Sequence, residues 1–148
     1  MRLPALLVAA LFVVAGQLRA QSLARSSQAK PAVFNNLPSR IPVEENSLES
    51  IFTFDINDSF TIQLHPSLEL KAIVMDKVFR PGGAVSVNLK ASNYQDIVFN
   101  FSRFIVSGKK VQYAGRALHP GFSDAMVLKQ KDRQYYFEVM EVKKLMNE

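Results

Sequence analysis

The stretch that decides the fold is Val85–Lys110, VSVNLKASNYQDIVFNFSRFIVSGKK. Val85, Val87 and Leu89 alternate with Ser86, Asn88 and Lys90, and after the break at Ser92-Asn93 the pattern resumes as Ile97, Phe99 and Phe101 against Val98, Asn100 and Ser102. A period of two puts one set on an apolar face and the other toward solvent, which is the pattern of a half-buried strand. The second run passes through Phe104 and Val106 and stops at Ser107-Gly108-Lys109-Lys110.

The same grammar extends in both directions. Upstream, Pro81-Gly82-Gly83 marks a turn, and Leu68, Leu70, Ala72 and Val74 share one face of a long, bent strand with Ile73 and Met75 on the other. Phe60, Ile62 and Leu64 form another alternating strand, closed by His65-Pro66-Ser67. Ile51-Phe52-Thr53-Phe54 reads as a first short strand, although the weak β propensity of EENSLES leaves room for a helix between Val43 and Phe52. Downstream, Val111–Ala117, the run around Met126 and Leu128, and Tyr135, Phe137 and Val139 supply three more strands. Lys131-Asp132 is a two-residue hairpin turn without the usual Gly, and the tail EVKKLMNE either prolongs the last strand or forms one frayed helical turn. Seven to eight strands with such regular breaks predict an all-β domain: a small antiparallel β-sandwich or a partly open β-barrel. No sustained helical period supports crossover helices and a parallel sheet.

Three units are expected. Residues 1–20 read as a signal peptide: Arg2, an apolar run from Leu3 to Ala15, then Leu18-Arg19-Ala20 before a cut. The run is short of the ~20 residues that span a bilayer, so no transmembrane segment is expected after its removal. Residues 21–46 read as a flexible or extended segment whose last part lies along the domain, and residues 47–148 as the β-rich domain. The expected location is secreted, periplasmic or cell-envelope associated.

The chain holds 18 basic and 13 acidic residues. Losing Arg2 and Arg19 leaves 16 against 13. That balance, with the basic residues spread along the chain, does not point to nucleic acid. Aromatics beside Lys109-Lys110 and Lys131-Asp132-Arg133 are what half-solvated strands normally show. Cysteine is absent, which removes thiol nucleophiles, thiolate metal sites and disulfides. The 11 phenylalanines are the expected source of core stability in their place.

Few residues suggest chemistry. His65 and His119 stand at strand–turn junctions, each before a Pro, and with Asp124 they are the candidate metal ligands. Their spacing matches no compact metal motif, and no cofactor is indicated. Asp55-Ile56-Asn57-Asp58 has the composition of half a calcium loop without its Gly or closing Glu, and reads as a capped turn. Gly121-Phe122-Ser123 begins like a nucleophile elbow but has Ala125 where the final Gly belongs. Asp76, Asp96, Asp124 and Glu138 are the scattered acids from which a carboxylate pair would have to come. Asn57-Asp58-Ser59 and Asn100-Phe101-Ser102 fit the glycosylation pattern. Tyr113, Tyr135 and Tyr136 are the candidate binding residues, because Tyr135-Tyr136-Phe137 puts rings on both faces of one strand. The expected function is a non-catalytic module that binds a protein or glycan. The alternatives are a regulatory or inhibitory module of a secreted enzyme, a carrier of an apolar ligand in a barrel cavity, and a small hydrolase using the acids or histidines.

Overall fold

The computed structural model describes residues 29–147; the signal-peptide reading of residues 1–20 lies outside them. The strands are β1 (Arg40–Val43), β2 (Ser59–His65), β3 (Leu68–Arg80), β4 (Ala84–Ala91), β5 (Ile97–Val106), β6 (Lys110–Ala117), β7 (Asp124–Lys131) and β8 (Gln134–Glu141). Two short helices accompany them, α1 (Glu45–Ile51) and α2 (Val142–Leu145). All eight strands form one antiparallel sheet in the order β1-β8-β7-β6-β5-β4-β3-β2. The sheet curls into a nearly closed barrel in which β1 and β2 touch across an unsealed seam without pairing. Among the described residues no helix is long and apolar enough to cross a membrane.

The alternation read in Val85–Lys110 is realised residue by residue. Val87 pairs with Phe101 and Leu89 with Phe99, all four inward and buried. On the outer face, Asn88 accepts a hydrogen bond from Asn100 at 2.8 Å, and Ser86 bonds Ser102 at 2.8 Å. Asn100 therefore sits in mid-strand with its amide occupied. The bend foreseen in the long strand is a β-bulge between Val74 and Asp76, where one extra residue increases local twist and helps a sheet close.

Aromatic rings fill the barrel. Phe99 lies 6.2 Å from Phe101 in a stacked arrangement, and Phe101 meets Phe137 edge-on at 6.0 Å. Opposite Phe101 on β6 stands Gly115, where an added Cβ would fall 2.9 Å from the Phe101 ring and 3.3 Å from Leu128. The glycine makes room for the ring, so the interior is a packed core.

Both ends of the barrel are closed by the N-terminal part of the chain. Phe34 is fully buried, 5.5 Å from the Tyr94 ring and 6.0 Å from Phe99. The core thus takes in residues upstream of 47: Phe34, then Ile41 and Val43 of β1, which pairs with β8. At the other end lies α1, with Leu48 and Ile51 buried. Here the expected strand at Ile51–Phe54 gives way to a helix that ends at Ile51. Leu48, Ile51 and Phe52 fit the i, i+3, i+4 spacing of one helix face as well as any strand pattern. A helix of seven residues is too short to stand alone, and its packing over the barrel mouth decides the matter.

The last hairpin turns on Asp132 and Arg133, with φ of 52° and 66°, between paired Lys131 and Gln134. This two-residue turn has the φ signs of a primed hairpin turn, one position later than the sequence reading placed it. The tail forms the helical turn α2.

Candidate functional site

Of the residues singled out from the sequence, Tyr113 and Tyr135 come together inside the barrel, and the others do not join them. Tyr135 is buried, 3% exposed, so the exposed contact expected of it does not exist. It faces inward because it pairs with Val43 and shares the phase of Phe137. Its hydroxyl accepts the backbone N–H of Tyr113 at 3.2 Å. That bond compensates for a short ladder: β6 and β7 pair only at Gly115–Leu128, Arg116–Val127 and Ala117–Met126. Past that point Tyr135 reaches β6 from β8 and satisfies an amide that β7 does not.

Tyr113 also turns inward, edge-on to Tyr135 at 5.5 Å and 6.1 Å from Phe52. Its hydroxyl donates to Glu49 Oε2 at 2.7 Å, and Glu49 Oε1 accepts from Arg103 at 2.6 Å. The two side chains fasten α1 over the barrel mouth. Tyr136 points outward beneath the Arg40 guanidinium, 4.5 Å from the ring centroid. The three tyrosines do not make one exposed platform. Sequence reading missed the Glu49–Arg103–Tyr113 group, yet its signal is there: Arg103 falls in phase with Ile97, Phe99 and Phe101, a charge on the apolar face.

Burial, and then the Glu49 hydrogen bond and charge, push the Tyr113 phenol well above its ordinary pKa. The fold therefore favours the neutral phenol. That stabilisation is complete below about pH 10, where the unfolded phenol titrates, and is lost as pH rises toward the folded value. Urea melts should show stability declining above about pH 10, with a shallower decline in Tyr113→Phe. The same alkaline slope in both proteins would remove Tyr113 from the explanation.

The proposed metal ligands are likewise separate. His65 Nδ1 is held in its own turn by Ser67, at 2.7 Å to Oγ and 3.1 Å to the backbone N–H. His119 Nδ1 accepts the N–H of Gly121 at 3.0 Å, with its ring against Phe122. Asp124 is buried and accepts the backbone N–H groups of Val33 at 2.9 Å and Phe34 at 2.7 Å. Among the described residues no three His, Cys, Asp or Glu side chains gather as metal ligands would. Of the other acids, Asp96 pairs with Lys90 at 3.1 Å and Glu138 with Lys129 at 2.7 Å.

What the tertiary structure adds is the seam. A cleft of about 770 Å³ lies along it, lined by Pro42 and Glu44 on one side, Gln63 and His65 on the other, with Arg133 and Tyr135 at its end. The backbone direction on each side follows from the ladders. Val139 N–H bonds Ser39 C=O, so the odd residues of β1 face β8 and the groups of Arg40 and Pro42 face the seam. On β3, Val74 bonds Asp58 and Asn57, so its even residues face β2. Phe60 and Ile62 of β2 pair with Ala72 and Leu70, which leaves the backbone groups of Ser59, Thr61 and Gln63 facing the seam. Pro42 brings no N–H, a common way to blunt an edge; the β2 edge carries no proline.

A second concavity, about 580 Å³ and mostly apolar, runs between α2 and the outer face of β6 and β7, with Leu118, Val127, Leu145 and Met146 on its walls. Compared with family models, curated proteins and solved structures, the chain matches none.

Proposed function

We propose that this is an exported, non-catalytic binding module that recognises a protein by pairing an extended segment of it with the β2 edge at the seam. The observation that carries this reading is that the Ser59, Thr61 and Gln63 backbone groups face the unsealed seam without a strand partner there, with Gln63 lining the cleft. An unpaired strand edge offers alternating donors and acceptors, and the chemistry that matches it is another backbone. A glycan would look instead for an exposed aromatic platform, and Tyr113 and Tyr135 are engaged in packing and hydrogen bonds within the fold. The apolar-carrier reading is disfavoured by the phenylalanines that fill the barrel. The hydrolase reading is disfavoured because Asp96 and Glu138 are held in ion pairs and Asp124 is held by backbone amides.

Proline substitution tests the edge selectively. Thr61→Pro removes a seam-facing N–H and spares the β2–β3 ladder, so the fold should survive. A photo-crosslinking residue at Gln63, in the producing cells, should give a discrete protein adduct that Thr61→Pro abolishes. The same residue at Ser102, on the outer face, should give none. Adducts that persist in folded Thr61→Pro, or that form equally from Ser102, would rule out strand pairing at the seam.

A further inference from the structure

The basic residues look spread along the chain, yet three exposed ones stand at two adjacent turns. Between residues 77 and 123, seven basic residues stand against one acid, Asp96; the other described residues hold 8 basic and 11 acidic. Three of the seven are engaged inside the fold: Lys77 with Asp55, Lys90 with Asp96 and Arg103 with Glu49. Arg80, Lys109 and Lys110 are exposed and have no ion pair among the described residues. They sit at the turns of two neighbouring hairpins, β3–β4 and β5–β6. A Cβ placed on Gly83 in the first turn would lie 3.1 Å from the Ile105 side chain beside the second.

Next to these cations along the two hairpins stand apolar side chains. Phe79 is 71% exposed and is the one exposed phenylalanine or tyrosine ring among the described residues. It pairs with Val85 and so continues the inward row of the sheet, but at the far end of the hairpin. Ile105 is 46% exposed, and Val78 adds an exposed face on the opposite side of the hairpin.

We propose that this end of the barrel docks on an anionic lipid surface, with Phe79 inserted among the acyl chains and Arg80, Lys109 and Lys110 at the headgroups. A single exposed ring at the end of a hairpin, with the Lys77 ammonium 5.6 Å from its centroid, suits a soft phase that closes around it. A folded protein would need a broad complementary face. Lysine and arginine stems lie along apolar material while their charges stay in water, and anionic headgroups attract each of them. This goes beyond strand pairing at the seam and does not depend on it.

The chain has no tryptophan, so Phe79→Trp supplies a unique probe. With the full exported protein, its emission should shift to the blue on adding vesicles of phosphatidylcholine containing phosphatidylglycerol. It should not shift with phosphatidylcholine alone, and added salt should weaken the response. In sedimentation with the anionic vesicles, Phe79→Ser should lower partitioning about tenfold. Reversing Lys109 and Lys110 to Glu should lower it about thirtyfold or more. The matched charge change at Lys143 and Lys144 of α2 should leave it near the parent value. These positions are exposed, so the variants keep their fold, which circular dichroism verifies. No binding to anionic vesicles overturns the proposal, as does equal loss from the α2 reversal. Binding to soluble polyaspartate without vesicle binding would also overturn it, and would assign the patch to an acidic protein.

Discussion

Phe99→Ala is expected to lower the free energy of unfolding by about 3–5 kcal/mol. Phe99 is fully buried and touches three other rings: Phe34 at 6.0 Å, Tyr94 at 6.0 Å and Phe101 at 6.2 Å. Removing it costs the transfer energy of the ring and the cavity that is left. Collapse into that cavity is restricted, because Leu89 and Ala117 on the flanking strands are themselves fully buried and held in register. Domains of this size are stable by only about 5–15 kcal/mol, and no disulfide backs up this core. Urea or guanidinium titration measures the change, with Phe99→Leu expected to retain much of the lost stability. A loss below about 1 kcal/mol for Phe99→Ala would mean that the barrel interior is not the close-packed core described above.

Asp124→Ala should cost nearly as much, about 3 kcal/mol, for a different reason. The carboxylate is buried and accepts two backbone N–H groups from a segment some 90 residues away in sequence. Hydrogen bonds to a charged group contribute about 1.5–3 kcal/mol each, and their removal leaves two amides in a poorly hydrated place. Those amides belong to Val33 and Phe34, so the loss also loosens the ring that closes this end of the barrel. Asp124→Asn keeps one acceptor oxygen and should lose about half as much. A protease should then clip the chain near residues 31–34 faster in Asp124→Ala than in the parent. Unchanged stability and unchanged cleavage in the Ala variant would show that the carboxylate does not tether the N-terminal segment.

Asp124 also shows how far a sequence can be read. Its neighbours Met126 and Leu128 mark an inward phase, and an acid in that phase signals a buried polar role. The role is that of an acceptor for backbone amides, and only the path of residues 31–34 reveals this. Tyr135 follows the same logic. Alternation places it with Phe137, but whether that face is core or contact surface depends on β1 arriving to cover it. At Ile51–Phe54 a short apolar run is compatible with either periodicity, and packing over the barrel mouth selects the helix that the weak β propensity of EENSLES leaves open. The hairpin turn at Asp132-Arg133 has no glycine to mark its left-handed positions, so the sequence signal was one residue off.

The alternation in Val85–Lys110 and its neighbours therefore determined by itself that the chain is all-β, which residues share a face, and where most hairpins turn. These properties are local, because a strand exposes its two faces every second residue whatever lies opposite. Closure, the seam and the basic hairpin end were decided by the tertiary structure alone. They depend on the bulge in β3, on the short ladder between β6 and β7, and on β1 pairing with β8 rather than β2. Each of those is a relation between distant segments that no residue spacing encodes. The charges at 80, 109 and 110 look ordinary along the chain, and become one patch only because adjacent antiparallel hairpins turn at the same end.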